Sequence, residues 1–309
     1  MDRKEFLKKA FQIGVVAGTV SFTGGFEKAF AAVNKAVVKN ALPDLVAIKG
    51  GLPADMFSQG IRALGGMKAF VKAGQTVVIK PNIGWDVTPE LAACTNPELV
   101  AQIVKESYLA GAKKVIVFDH TSDNWVDAYK NSGIEAAVKA AGGIMAPGNN
   151  KADFKKQIIP GGKTLTSAEV HELFTSCDVL INVPILKHHG TAKMTAAMKN
   201  LMGTVWDRPG WHIVGLDKCI AEYPAFKKPD LNVVDAYRVM TRNGPRGVSV
   251  EDVVEMGSQI LSRDIVAADA AAALIFGTKL EDISYIKLAH DKGLGNMNLG
   301  ELNIKKIYL

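Results

Sequence analysis

The chemistry-bearing side chains of this chain are densest in residues 177–203, CDVLINVPILKHHGTAKMTAAMKNLMG. Lys187, His188, His189, Lys193, Thr195, Lys199 and Asn200 fall there within fourteen residues. Lysines supply point charges for phosphate or carboxylate. Where several converge, mutual repulsion lowers at least one pKa and turns that amine into a base or a Schiff-base nucleophile. His188 carries an imidazole, the side-chain type whose ordinary pKa lies nearest neutral pH, which suits a general acid or base. Asn82, Thr95, Thr195 and Asn200 offer hydrogen bonds to orient a ligand, and the glycines of Asn243-Gly244-Pro245-Arg246-Gly247 allow close backbone approach.

The elements that must position these groups follow from periodicity. Residues 179–185 form an apolar, β-branched run that reads as a buried strand, followed by a polar loop and a helix carrying Lys199 and Asn200. An apolar run at 76–79 leads into Lys80-Pro81-Asn82, and another at 114–118 ends at Asp119-His120. Between them, Thr95 and Asn96 cap a helix that starts at Pro97 and ends at Gly111. This β–α–β order implies parallel pairing and a right-handed crossover, so Lys80 and Asp119 open on one sheet edge. Residues 167–174 read as a short helix, 149–166 as a surface hairpin, 253–261 as paired strands and 264–276 as an alanine-rich helix. The expectation is an α/β fold, a mostly parallel or mixed sheet with helices on both faces in a Rossmann-like three-layer architecture, as one domain over 44–309.

The N-terminus differs from the rest. Arg3, Lys4, Lys8 and Lys9 precede an apolar run and Ala29-Phe30-Ala31, the outline of an export signal over 1–31, with 32–43 as a linker. Arg3-Lys4-Glu5-Phe6-Leu7-Lys8 approximates the twin-arginine pattern with Lys4 in place of the second arginine, so export to the periplasm or another extracytoplasmic space runs by the twin-arginine or the general secretory route. The alternative is an amphipathic helix that stays on the protein. No later segment is long and apolar enough for an integral membrane span.

The 309 residues carry a net charge of +6, too mild and too scattered for a nucleic-acid partner. Cys94, Cys177 and Cys219 are widely spaced, which argues against disulfides or a four-cysteine cluster and for small buried hydrophobes. No P-loop, G-x-G-x-x-G or G-x-S-x-G pattern occurs. A metal reading draws on Asp119 and Asp235, with His120, Asp123 or one of the paired histidines. The competing reading is one buried histidine, one exposed and no metal, since adjacent side chains on extended backbone face opposite sides.

Taken together, IKPNIGWD at 79–86, TNPELV at 95–100, residues 177–203, NVVDA at 232–236, NGPRG and DIVAADA at 264–270 resemble the domain of unknown function 362 family over nearly all of residues 45–309. The resemblance implies an α/β fold and marks Lys80, Asn82, Thr95, Lys187, His188, Thr195, Lys199, Asn200, Asp235, Gly244, Pro245 and Asp269 as motif positions. Some members carry a ferredoxin-like segment, which this chain lacks.

The leading expectation is an exported enzyme that binds an anionic small molecule at the strand edge. Lys80, Lys187 and His188 are its catalytic candidates. Asn82, Thr95, Lys193, Thr195, Lys199, Asn200, Gly244 and Asp269 are its ligand-binding ones. The alternative is a cofactor- or metal-holding protein that serves a redox partner without its own catalysis. The sequence identifies no cofactor.

Overall fold

The central strands are apolar on both faces, which requires a sheet covered on both sides. A computed structural model describes residues 25–31 and 41–309. Its strands are β1 (Leu45–Lys49), β2 (Thr76–Pro81), β3 (Lys114–Val117), β4 (Ile144–Met145), β5 (Phe154–Ile158) and β6 (Ser167–His171), then β7 (Val179–Val183), β8 (Ile185–His189), β9 (Lys193–Thr195), β10 (Leu231–Met240), β11 (Val253–Ser262) and β12 (Ile304–Tyr308). The helices are α1 (Gly25–Ala31), α2 (Pro53–Ala63), α3 (Pro97–Ala110), α4 (Trp125–Asn131), α5 (Ile134–Ala140) and α6 (Glu172–Ser176), then α7 (Ala197–Asn200), α8 (Arg208–Val214), α9 (Leu216–Glu222), α10 (Ile265–Phe276) and α11 (Ser284–Asp291).

The main sheet runs β12-β1-β11-β10-β7-β2-β3-β4. All of these strands are parallel except β11, which pairs antiparallel with both β1 and β10. Side chains alternate between two cores. Val77, Ile79, Val179 and Ile181 pack with α2, α3, α4 and α5, whereas Val78, Leu180 and Val234 pack with α1, α6, α7, α8, α9, α10 and α11. The three-layer α/β expectation therefore holds, with the sheet mixed rather than all parallel.

Several local expectations change. Residues 253–261 belong to one ten-residue strand, β11, paired along both edges rather than folded on itself. Residues 167–171 form a strand, β6, that completes an antiparallel pair with β5, and only 172–176 are helical. Ser167, Glu169 and His171 alternate with the buried Ala168 and Val170, a period-two pattern that the helical expectation passed over because the helix at 172–176 follows without a break. Residues 185–189 remain extended beyond Pro184, so Lys187, His188 and His189 lie on β8, a strand that forms a hairpin with β9. The three cysteines are buried and free.

The export reading of residues 1–24 lies outside the described residues. Of the remaining stretch up to residue 31, Phe26, Ala29 and Phe30 are buried in the core beside α10.

Candidate functional site

The parallel strands β2, β3 and β7 end together, and the loops beyond them surround a cavity of about 590 Å³. A crevice outside the carboxyl ends of such strands is where open α/β sheets hold ligands, and this volume suits a small molecule. Lys80, Asn82, Asp119, Lys187, His189, Thr195, Lys199, Asn200 and Arg208 supply its polar lining; Trp85, Met202, Pro209 and Pro245 are among its apolar walls.

Lys80 is the penultimate residue of β2, its side chain turned towards α7. Its Nζ lies 2.7 Å from Asp119 Oδ1 and donates to Asn200 Oδ1 at 3.1 Å and to the Pro81 carbonyl at 2.8 Å. Asp119 Oδ2 accepts from the Ile83 amide. Asn82 donates to the same Asn200 oxygen at 3.0 Å, and its own Oδ1 accepts from Lys187 Nζ at 3.1 Å. Lys187 also donates to the Ala93 carbonyl. A continuous chain Asp119–Lys80–Asn200–Asn82–Lys187 thus lines the cavity floor, each buried polar group answered by the next.

A second polar layer holds α7 in place. Asn182 bridges the Ala197 carbonyl and Asn232, and its Oδ1 accepts from Asn200 at 2.9 Å. Asp269, on α10, accepts the free Ala197 and Met198 amides at the start of α7. Burial nonetheless pushes its carboxyl up to about 7. Gly203, just after α7, passes so near the ion pair that a Cβ there would stand 2.6 Å from Lys80 Nζ. Only glycine leaves that space to Lys80 and Asp119.

Lys199 stands apart. Its Nζ contacts the Met202 thioether at 3.0 Å and has no oxygen partner among the described residues. Burial and then the neighbouring charges of Arg208, Lys187 and Lys80 lower its pKa to about 7. Burial brings Lys187 down to about 8. Lys80 is lowered too, again by burial, against the opposing pull of Asp119. Arg208 is fixed by donating to the His120 and Thr121 carbonyls, both at 2.7 Å.

The histidines divide as period two demands. Lys187 faces the cavity, so His189 faces it as well, while the Nδ1 of His188 accepts from the Gly244 amide at 3.1 Å away from the lining. His189 Nδ1 accepts from the Thr191 and Ala192 amides, which places its proton on Nε2. Burial, and next the charge of Lys199, bring its pKa down to about 3. His212, stacked on it with ring centroids 6.2 Å apart, also lines the cavity.

The structure therefore brings together Lys80, Asn82, Asp119, Lys187, Thr195, Lys199 and Asn200 from the sequence-derived set. Thr95, Gly244 and Asp269 act from behind: Thr95 ties the Asn82 amide to the Val183 carbonyl, and Gly244 packs on the His188 backbone. Lys193 is exposed at the β8–β9 turn. Asp235 is buried and accepts from the Asn96 and Tyr237 amides, so it does not join Asp119. Among the described residues no three His, Cys, Asp or Glu side chains are grouped so as to hold a metal ion. Sequence reasoning missed Arg208, His212 and the place of His189.

Residues 77–274 match the family described as Domain of unknown function (DUF362). The chain belongs to that family. A thylakoid-associated protein of Synechocystis sp. is 28% identical over 226 residues, 68% of this chain and 65% of that relative's length, so the match spans just under two thirds of it. Among solved structures, the chain is similar to the lactate racemase apoprotein of Thermoanaerobacterium thermosaccharolyticum at 13% identity and a TM-score of 0.42, covering 69% of this chain and 53% of that one. A Thermotoga maritima protein gives 13% and 0.43, with coverages of 74% and 60%.

Proposed function

We propose that this DUF362 protein binds a small anionic molecule in the cavity and acts on it through the cavity lysines. One observation carries the reading: Lys80, Lys187, Lys199 and Arg208 all line one small cavity in which, among the described residues, Asp119 is the only acidic side chain. Asp119 answers Lys80 at 2.7 Å, which leaves the remaining positive charge to a ligand. Taking cations out of water is costly unless an anion joins them, so a carboxylate or phosphate completes the site electrostatically. Lys187 and Arg208 then hold the charge, Asn82 and Asn200 orient the molecule, and Lys199 supplies a partly neutral amine.

The basic, apolar start of the chain supports export, and no helix among the described residues is long and apolar enough to cross a membrane. The Synechocystis relative carries the description thylakoid-associated, which fits a protein working beside a membrane.

Titration calorimetry with oxalate and with inorganic phosphate tests the anion site. The wild type should bind, more weakly at high ionic strength. Lys187→Met and Arg208→Gln should each weaken binding about tenfold, the order expected for one charge-assisted hydrogen bond. Oxalate and phosphate heats indistinguishable from dilution in the wild type would end this reading.

A further inference from the structure

Among the described residues, three of the four cavity cations have oxygen partners. Lys80 has Asp119, Asn200 and the Pro81 carbonyl; Lys187 has Asn82 and the Ala93 carbonyl; Arg208 has two backbone carbonyls. Lys199 alone meets a thioether, a weak acceptor, while it lines the same cavity and stands near three positive groups. A protonated lysine in that position is disfavoured on every side, so its stable form near neutrality includes the free amine.

Resting on the anion-binding reading, we propose that Lys199 forms a Schiff base with the carbonyl carbon of a small aldehyde or ketone that also bears a carboxylate or phosphate. The anionic group sits on Lys187 and Arg208, which places the carbonyl within the same cavity as the amine. The nitrogen lone pair attacks the carbonyl carbon and a C–N bond forms. Both amine hydrogens leave with the carbonyl oxygen as water, so atoms balance and no electrons are exchanged. Protonation of the resulting imine is favoured by the neighbouring anion, which now sits beside a cation it did not face before. His189, neutral and carrying its proton on Nε2, lines the same cavity as a hydrogen-bond donor for the oxygen as it departs. The amine is suited to this chemistry because burial and the neighbouring positive groups lower its pKa to about 7, so it offers far more free amine near neutrality than an ordinary lysine.

Full-length protein is treated with glyoxylate and sodium cyanoborohydride at pH 7, and the products are read by intact mass and peptide mapping. The expected result is one carboxymethyl group per chain, on Lys199, exceeding labelling at exposed Lys193 by about tenfold or more. Excess oxalate, which is anionic but offers no reactive carbonyl, should suppress it. Lys199→Arg should lose the adduct while unfolding at the wild-type urea midpoint. Labelling of Lys199 no greater than that of Lys193 in a wild type that does bind oxalate overturns the covalent step and leaves the anion site standing. Failure of the wild type to bind oxalate, with glyoxylate labelling scattered over exposed lysines, removes both.

Discussion

Lys80 Nζ and Asp119 Oδ1 lie 2.7 Å apart, both side chains almost wholly buried, at the carboxyl ends of the adjacent parallel strands β2 and β3. The pair exists because β–α–β topology returns the chain to the same sheet edge after α3. A buried ion pair is weak evidence of net stabilisation, but removing one partner is costly because the other stays buried and charged. Asp119→Asn preserves an acceptor for the Ile83 amide and removes only the charge. It should destabilise the fold by about 3 kcal/mol, seen as a lower urea midpoint at unchanged m-value. A midpoint within error of the wild type would mean that Lys80 is already neutral in the folded protein.

Gly203 gives a steric counterpart. A methyl group there meets Lys80 Nζ at 2.6 Å and also strikes the Asp119 carboxylate, so the ion pair must shift to admit it. Gly203→Ala should therefore cost about 1–3 kcal/mol through overpacking and weaken oxalate binding along with it. Full stability with full binding in this variant would show that the ion pair moves freely, against the packing described here.

The pH dependence has a definite sign at His189. Its folded pKa of about 3 lies below its unfolded value of about 6.5, so between these pH values the unfolded chain binds the extra proton. Its contribution is complete above pH 6.5 and is lost as the pH falls towards 3. Asp269, raised to about 7, and Asp235, raised to about 6, act in the opposite sense, since the folded state holds their protons. The useful quantity is therefore the difference between wild type and His189→Gln. That difference should narrow on acidification with a slope approaching about 1.4 kcal/mol per pH unit. Ring-nitrogen NMR offers a direct check: His189 should not titrate between pH 5 and 8.

How much of this was legible in the sequence depends on how local each determinant is. The strand ends at Lys80 and Asp119 are visible because an apolar β-branched run stops at each, and α3 is visible through its Asn96 cap and Pro97. The gathering of Lys187, Lys199 and Asn200 follows from the same strand-edge logic. His188 was favoured over His189 because the family resemblance marks it as a motif position and an imidazole suits acid–base work, neither of which says which of the two faces the site. Once β8 is known to be extended and Lys187 to face the cavity, alternation assigns His189 to it. Arg208 had no such route: it is held by carbonyls eighty-eight and eighty-seven residues earlier in the chain, a relation that no periodicity carries. Asp235 and Asp269 were conspicuous as carboxylates in apolar surroundings, and their partners proved to be backbone amides, which leave no trace in residue types.

The N-terminal segment poses the last test. An export signal ending at residue 31 would detach α1, yet Phe26 and Phe30 are buried, their rings 5.1 Å apart, and Phe26 also meets Tyr308 edge-on. Lys306 donates to the Phe30 carbonyl, so α1 is joined to β12 as well as to α10. Fully burying each phenylalanine is worth about 1.5–3 kcal/mol, which predicts a loss of about 3–6 kcal/mol on deleting residues 1–31. The measurement is urea unfolding of the deletion beside the full chain. A loss in that range would mean that cleavage after residue 31 removes part of the core, and would place any processing point upstream of Gly25. An unchanged midpoint would show that the fold closes without α1, and cleavage at residue 31 would then be structurally free.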